Sequence, residues 1–277
     1  MSISTIRNGL KQGTNEVLPI SQDENPAHTR IYYGEDLVYG DLQFEIGVVT
    51  EDLRCYVNAN NITSYPGSGS TWFDISGNSR DLDVGGGTIL FVTGSPNYFD
   101  FTDSSDPKTY AATYRPGDVI TSLTSQNTYT VCMFYAYAVS SGYRTIIRSV
   151  NGSGTLRDFV LVDNGTENLG TFTDTFHGFG IDITTDIPDY DTQFNYQVYT
   201  QATGSGIAET EFFLNNSGSI GSNNDPMKGQ GPAVFGNQET GDQPGALISA
   251  ILVYDRVLTS AEITKNYNAL KGEMGLG

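Results

Sequence analysis

Pairs of acidic residues two positions apart are the first groups in this sequence with the potential for chemistry. They are Asp81 and Asp83, Asp189 and Asp191, and Glu209 and Glu211. A strand would place both members of a pair on one face, and glycoside hydrolysis needs two carboxyl groups about 5 to 9 Å apart. Such pairs are also common on the solvent-exposed face of an acidic protein, which is the interpretation we favour. We predict that the chain is not an enzyme.

The two histidines do not add a nucleophilic site. His28 lies near the N-terminus, and His177 lies between two phenylalanines in the segment 175–179. No Gly-x-Ser-x-Gly elbow is present to supply a nucleophile, and no Gly-rich phosphate-binding motif follows a predicted strand. His177 could line a binding groove, but we favour a packed, hydrogen-bonded side chain.

Calcium is the metal that the sequence would suit best, because oxygen ligands from Asp and Asn are abundant. The best candidates are Asp74 and Asn78, with Asp81 close by. In the alternative interpretation, Asp74 and Asn78 cap a tight turn by bonding the neighbouring backbone. We favour turn capping, so that no cofactor is required and calcium is an optional ligand. The segment 182–191, with four Asp residues, is a weaker candidate and is more typical of a solvated loop.

Glycan binding would need an exposed aromatic ring with hydrogen-bonding groups beside it. Four aromatic residues close to acidic or amide side chains are candidates for sugar contact: Trp72, Tyr190, Phe194 and Tyr196. The alternative places Trp72 and most phenylalanines in the core, because aromatic side chains supply much of the buried area of a sandwich. The sequence alone does not locate a glycan site.

The charge of the chain excludes nucleic acid as its main partner. Lys and Arg number 14 against 32 Asp and Glu, which gives a formal net charge of −18. A phosphate-binding surface needs a basic stripe that these scattered cations do not supply. No apolar run reaches the roughly 18 residues of a membrane-spanning helix, so we expect no membrane insertion. The segment from Met1 to Arg7 lacks the apolar run of a signal peptide.

Two cysteines, Cys55 and Cys132, are too few for a disulfide framework and lack the spacing of a zinc site. Each lies in an apolar, strand-like segment. We predict two buried free thiols, and the sequence leaves open whether the two are paired.

Alternation of apolar and polar residues indicates a chain built mostly of strands. Leu53, Cys55 and Val57 alternate with more polar neighbours. The segment 128–139 has almost no polar residue, which predicts a central strand buried on both faces. Turn signals separate further strand-like segments, with no helices between them. The predicted fold class is all-β, an antiparallel jelly-roll sandwich that occupies residues 42–277.

One helix is predicted, near the C-terminus. Thr259-Ser260-Ala261-Glu262 has the sequence of a capping box. Ile263, Tyr267 and Leu270 follow at helical spacing, and Gly272 is a suitable stop.

The first 41 residues differ from the rest. They are polar and weakly patterned as far as Thr29, and the segment 30–40 then has two β-prone runs around Gly34-Glu35-Asp36. We predict an extended N-terminal arm with a small hairpin, too short to be stable alone.

Two segments carry a resemblance to a known family. Residues 53–78 run from an apolar strand through Tyr65-Pro66-Gly67 and Trp72 to the loop 74–78, and residues 249–272 contain Tyr254-Asp255-Arg256 and the predicted helix. Both are similar to the ends of the laminin G-like, concanavalin A-like domains of tailed-bacteriophage virion proteins. The middle matches more loosely, since Asn216 replaces the usual hairpin glycine. The Glu-x-Asp-x-Glu pattern of the resembling bacterial glucanases is absent from the sequence.

The resemblance implies a non-enzymatic structural protein of a phage particle, located on the tail or the capsid surface. A tail fibre or adsorption appendage that contacts host-surface glycans is our first prediction. A capsid-surface decoration protein without a receptor is the alternative, and a polysaccharide depolymerase is a remote one. The chain is expected to form homo-oligomers, a trimer being one option. The arm would bind other phage structural proteins through five apolar or aromatic residues: Ile31, Tyr32, Tyr33, Val38 and Tyr39.

Overall fold

A computed structural model divides the chain into two compact units, Met1–Val48 and Val49–Gly277. In the first unit the structure describes residues 11, 12, 15, 16, 29–33, 36–42, 47 and 48. In the second it describes residues 49–85, 89–103, 110–112, 122–124, 128–137, 142–150, 156–163, 165–172, 175–203, 208–224, 231–236 and 245–276. The predicted boundary between residues 41 and 42 falls within the first unit. His28 lies outside the described residues.

The first unit contains two antiparallel strand pairs. β1 (Lys11–Gln12) pairs with β2 (Asn15–Glu16), and β3 (Thr29–Tyr33) pairs with β4 (Asp36–Leu42). Tyr33 lies opposite Asp36, so the hairpin expected from the segment 30–40 is present. The backbone of the five predicted docking residues lies in β3 and β4, whereas their side chains lie outside the described part of the structure. Their docking role stays a prediction.

The second unit is a sandwich of two eight-stranded antiparallel sheets, with strands numbered in chain order. Sheet I contains, in spatial order, β15 (Phe176–Asp182), β14 (Asn168–Phe172), β13 (Leu156–Val162), β12 (Arg144–Val150), β19 (Pro232–Gly236), β10 (Tyr110–Ala112), β7 (Leu82–Asp83) and β6 (Thr71–Trp72). Sheet II contains β18 (Ser219–Asn223), β17 (Ala208–Leu214), β16 (Asn195–Thr203), β11 (Tyr129–Tyr137), β20 (Ala246–Tyr254), β9 (Tyr98–Asp100) and β8 (Leu90–Val92), with β5 (Leu53–Asn58) also beside β20. The predicted all-β antiparallel sandwich is confirmed.

β11 is the central strand that the apolar segment 128–139 predicts. All nine of its residues are buried. Its inner side chains, such as Met133 and Tyr135, belong to the core between the sheets. Its outer side chains lie under the C-terminal helix, since Cys132 is within 3.9 Å of the Asn266 amide of that helix. Both thiols, Cys55 and Cys132, are buried and free, as predicted.

The C-terminal helix α2 (Ser260–Leu270) covers part of the outer face of sheet II, the face turned away from sheet I. Its capping box is formed, because Thr259 Oγ1 accepts from the Glu262 amide at 3.4 Å and Glu262 Oε2 accepts from the Thr259 amide at 2.8 Å. Ile263 and Leu270 are buried, and the Tyr267 ring lies 5.9 Å from the Tyr196 ring on β16. Within the described residues, no helix is long and apolar enough to cross a membrane.

The segment 182–191 is largely exposed, as expected of a solvated loop, but it also contains a short helix. It begins with a one-turn helix, α1 (Ile183–Asp186), whose N-cap Asp182 accepts hydrogen bonds from the Thr184 amide at 2.9 Å and the Thr184 hydroxyl at 2.6 Å. These bonds lower the pKa of Asp182. Ile183 is fully buried and anchors the turn to the core. The expectation of no helix between the strands is therefore wrong at this point.

Candidate functional site

Asp74, the leading calcium candidate, uses both carboxylate oxygens to hold its own loop together. Oδ1 accepts from the Tyr56 amide at 2.8 Å and the Ser76 amide at 2.9 Å. Oδ2 accepts from the Ser76 hydroxyl at 2.8 Å and the Arg80 amide at 2.9 Å. The bond from Tyr56 joins the loop to the adjacent strand β5, and the other three hold the loop itself together.

The other two calcium candidates complete the same network. The Asn78 side-chain amide donates to the Leu53 carbonyl at 2.7 Å, and Asp81 Oδ1 accepts from the Asp74 amide at 2.9 Å. The structure thus brings all three candidates together, with their polar groups directed at the backbone. In the described parts of the chain, no three His, Cys, Asp or Glu side chains converge as metal ligands would. The geometry supports turn capping, the alternative favoured from the sequence.

The acid pairs do not form a described catalytic arrangement. Asp83 Oδ1 accepts from the Gly85 amide at 2.8 Å and so caps a turn. Asp189 has a φ of 44° and lies in a turn, so the strand geometry that would align it with Asp191 does not apply. Glu211 lies on β17 and is half-buried, and the side chain of Glu209 lies outside the described residues.

Three of the four predicted sugar-contact residues are buried, which corrects the expectation that they present an exposed ring. Trp72 and Tyr196 are completely buried, and Phe194 is 7% exposed. The Trp72 ring packs 4.5 Å from Phe99 in the core, and the Tyr196 ring packs 4.6 Å from Phe134. Strand alternation places these rings inside the sandwich or under α2, where no ligand can stack on them.

Tyr190, the fourth candidate, is half-buried and stays a prediction. Its ring lies 6.4 Å from the Tyr137 ring, and it packs against the core between the sheets. Tyr196 lies on the opposite, helix-covered face of sheet II. The aromatic residues that are neighbours in the sequence therefore do not form one platform.

His177 is exposed, which corrects the expectation that it is packed in the fold. Its Nε2 atom lies 2.9 Å from the Thr175 hydroxyl. The expected hydrogen bond is therefore present, on an edge strand of sheet I. The two sheets meet at this edge, because the Asn223 side-chain amide of β18 donates to Thr171 Oγ1 and to the His177 carbonyl, both at 2.9 Å.

A buried network of tyrosines occupies the core between the sheets. Tyr135 donates to Tyr137 at 2.9 Å and also bonds Tyr199, and Tyr137 donates to Gln197 at 2.5 Å. Burial raises the pKa of all three hydroxyl groups well above the ordinary tyrosine value. They stay protonated at neutral pH, so the network acts as a structural polar core rather than as a general base.

On the outer face of sheet II, among the described residues of β8, β9 and the start of β20, five side chains are at least partly exposed and are here named the open face: Leu90, Val92, Tyr98, Asp100 and Leu247. Leu90 pairs with Asp100, Asp100 pairs with Leu247, and Val92 pairs with Tyr98, so the five are direct neighbours. Phe91, Phe99 and Ile248, which alternate with them, point into the core. Leu90 is 61% exposed.

Tyr98 is the aromatic residue of the open face, and the sequence did not single it out. Its ring centroid lies 5.2 Å from that of Phe194. β20 and β11 lie between β9 and β16, so three strand spacings of about 4.8 Å separate the two backbones. Both side chains must therefore lie along the sheet surface, over Leu247 and the small Ala136. The signal was the alternation itself, because buried Phe99 and Phe101 imply that Tyr98 and Asp100 face the other way.

No family model matches the sequence, and no curated protein matches it. Solved structures do resemble the fold. The Trypanosoma rangeli sialidase in complex with sialic acid matches with a TM-score of 0.53 and 15% identity, over 80% of this chain and 33% of the sialidase chain. A mutant of HCR/D matches with a TM-score of 0.53 and 16% identity, over 79% of this chain and 51% of that one.

A third similar structure is a single domain of comparable extent. Domain 4 of AbnA, a GH43 extracellular arabinanase from Geobacillus stearothermophilus, was solved in complex with arabinotriose. It matches with a TM-score of 0.51 and 15% identity, over 78% of this chain and 98% of that domain. The chain spans about a third of the sialidase chains and nearly all of this domain. At such identities the likeness concerns the fold, and the chain shares with these structures a β-sandwich architecture.

Proposed function

We propose that this chain is a non-enzymatic structural protein of a tailed-phage particle, whose sandwich binds host-surface glycans. The observation that carries the proposal is the resemblance of residues 53–78 and 249–272 to phage virion domains. The two segments are joined in the fold, since β5 pairs with β20 and Arg54 forms an ion pair with Asp255. The residues that carry the resemblance thus build one continuous part of the sandwich.

Glycan recognition is supported by two further observations. A domain with the same architecture, matched over nearly its whole length, was solved with arabinotriose. The sandwich also presents an open face with a tyrosine ring and a carboxylate, which are groups that sugars engage. Three of the described carboxylates, those of Asp74, Asp81 and Asp83, accept hydrogen bonds from backbone amides of their own turns. We therefore assign the sandwich a binding role without turnover.

A glycan array tests this role directly. We expect the full chain to bind at least one host-type oligosaccharide saturably, to the same extent with and without a chelator. Incubation should release no new reducing ends. Absence of saturable binding in both conditions contradicts glycan recognition. Reducing-end release that is lost in a Glu209→Gln, Glu211→Gln variant would establish the depolymerase alternative.

The N-terminal unit is proposed to attach the protein to the particle. It forms a separate compact unit with its own strand pairs, which suits an attachment element. Deletion of residues 1–41 should abolish incorporation into particles while the sandwich still folds, and unchanged incorporation contradicts the proposal.

Labelled antibody against the protein should mark the tail in particle micrographs. We expect the protein to be present there as a homo-oligomer. Label on the head would instead identify a capsid decoration protein.

A further inference from the structure

The ring of Tyr98 is positioned to stack with a flat ligand. It lies along sheet II against Phe194, whose buried ring holds it in place. Leu90, Val92 and Leu247 surround it with apolar surface at the same level. Tyr98 is half-buried, and a partly exposed tyrosine ring held by a neighbouring ring suits the apolar face of a sugar ring.

Asp100 supplies a hydrogen-bond acceptor beside this ring. Its Oδ1 atom accepts from the Thr102 amide at 2.9 Å and the Thr102 hydroxyl at 2.6 Å, which fixes the carboxylate. Its Oδ2 atom accepts no hydrogen bond from the described residues. A fixed acceptor next to an aromatic ring can bind the hydroxyl groups of a stacked sugar.

The charge of the open face selects among sugars. Its five residues include one carboxylate and no Lys or Arg, and the whole chain carries a net charge of −18. An anionic sugar would meet like charge at Asp100, and none of the other four residues of the open face is a cation that could compensate it. A neutral sugar meets no such barrier.

The small extent of the open face argues for a sugar rather than a protein. Stable protein interfaces bury roughly 20 to 30 residues on each side. Five partly exposed side chains, bordered by α2 on one side of the sheet, match one or two sugar rings instead.

We propose that the open face is the glycan-contact surface of the sandwich and that it takes uncharged oligosaccharides, with Tyr98 stacking on a sugar ring and Asp100 accepting from its hydroxyl groups. This inference rests on the proposed glycan-binding function.

The test uses a glycan array that carries neutral oligosaccharides, each paired with its sialylated form, followed by titration of the full chain with the best neutral ligand. Tyr98→Ala should weaken binding about two- to tenfold, which corresponds to the loss of one aromatic contact. Leu90→Glu should weaken it at least about twofold, because the change removes apolar contact surface beside the stacked sugar and adds a hydrated carboxylate that the sugar would have to desolvate. Tyr143→Ala is the matched control, because Tyr143 immediately precedes β12 of sheet I and is 40% exposed, and the variant should bind as the wild type does.

The outcomes separate this inference from the function on which it depends. No binding to any array ligand contradicts the proposed function itself. Binding that stays at the wild-type level in both Tyr98→Ala and Leu90→Glu, with an unchanged melting temperature, overturns only the assignment of the open face. Preference for the sialylated forms overturns the assignment of uncharged oligosaccharides as the ligands. If Leu90→Glu changes the oligomeric mass in light scattering without changing sugar affinity, the face binds a second copy, and the inference is wrong.

Discussion

Asp74 illustrates how a single side chain can account for a sequence motif. Its carboxylate accepts four hydrogen bonds, three of them from backbone amides of residues 56, 76 and 80. A carboxylate is well suited to this task, because an ionised acceptor bonds several donors strongly at once. The Asp-x-Ser-Gly-Asn loop is therefore explained by turn formation, without a metal ion.

Replacing Asp74 should destabilise the sandwich without affecting any response to calcium. Asp74→Ala leaves three backbone amides without their acceptor and should lower the free energy of unfolding by about 2 kcal/mol, or the melting temperature by about 4–8 °C. Thermal unfolding of the wild type should be the same in calcium and in EDTA. A melting temperature that rises with calcium in the wild type and not in the variant would show that the loop is a metal site.

Glu262 connects the turn after β20 to the start of α2. Its carboxylate accepts from Arg256 in two bonds, of 2.8 and 2.6 Å, and from the Thr259 amide at 2.8 Å. The bonds from Arg256 contribute most to a pKa of about 2, compared with 4.5 for an unperturbed Glu. The Tyr-Asp-Arg turn is thus held by a charged pair that also completes the capping box.

This lowered pKa predicts how stability depends on pH. The folded state binds the Glu262 proton less readily than the unfolded state does, so the stabilisation is fully present above pH 4.5 and is lost as the pH falls toward 2. Allowing for solvent screening, the loss is about 2 kcal/mol. Denaturant unfolding between pH 5 and pH 2.5 should show a shallower decline in Glu262→Gln than in the wild type.

Glu51→Gln is the control for the pH measurement. Glu51 approaches the same arginine at 3.6 Å, but its side chain is 79% exposed. Its replacement should leave the pH dependence at the wild-type slope. If Glu262→Gln and the wild type lose stability in parallel over this range, the pair does not have the assigned role.

At the scale of elements, α2 is held to sheet II by a polar contact as well as by its apolar stripe. Asn266 is completely buried. Its Oδ1 atom accepts from the Val49 amide at 2.8 Å, and its amide donates to the Tyr254 hydroxyl at 3.0 Å. If α2 shifted, the buried Val49 amide and Tyr254 hydroxyl would lose Asn266 as their partner, and no water could replace it. This contact therefore fixes the position of the helix on the sheet.

Removing the Asn266 side chain should therefore be costly. Asn266→Ala leaves the Val49 amide buried without an acceptor and should lower the free energy of unfolding by about 2–3 kcal/mol. Asn268→Ala, at an exposed position of the same helix, should stay within about 0.5 kcal/mol of the wild type. Chemical denaturation of both variants checks this, and equal stability of the two would contradict the role given to Asn266.

Strands with strong apolar alternation were predictable, and glycine-rich edge strands were not. β11, for example, lies within two residues of the apolar segment 128–139 that predicted it, and the alternation of Leu53, Cys55 and Val57 falls in β5. β14, β15 and β18 were missed, because Gly170, Gly178 and Gly221 interrupt their patterns. Two of these glycines are required by close approach: a Cβ at Gly170 would collide with the His177 carbonyl, and one at Gly221 would lie 2.7 Å from the Phe179 carbonyl.

The candidate site was less predictable than the fold. Tyr190 and Tyr196 were grouped as candidates because they are close in the sequence. In the structure they lie on opposite faces of sheet II, because Tyr190 packs against the core and Tyr196 packs against Tyr267 of α2. Tyr98 became a candidate only when the partners of β9 were known. Sequence patterns identify which residues are buried in a strand, but they do not say which neighbouring strands and helices leave a face open.

At the scale of the whole molecule, the net charge of −18 affects which ligands the protein can bind. The 14 Lys and Arg residues supply no expected basic stripe for phosphate contact, and under the proposed virion role the like charges of neighbouring copies would repel one another. The same charge disfavours anionic ligands at the open face. Under the proposed function, the small N-terminal unit would attach the protein and the large sandwich would present the open face.

The most direct test of the account is saturation-transfer NMR of the full chain with the best neutral oligosaccharide from the array, followed by a second spectrum of the sugar after prolonged incubation. The account predicts transfer of magnetisation to the sugar ring protons and an unchanged sugar spectrum, because the sandwich binds without turnover. Absence of transfer to any sugar, or the growth of new reducing-end signals, would contradict it.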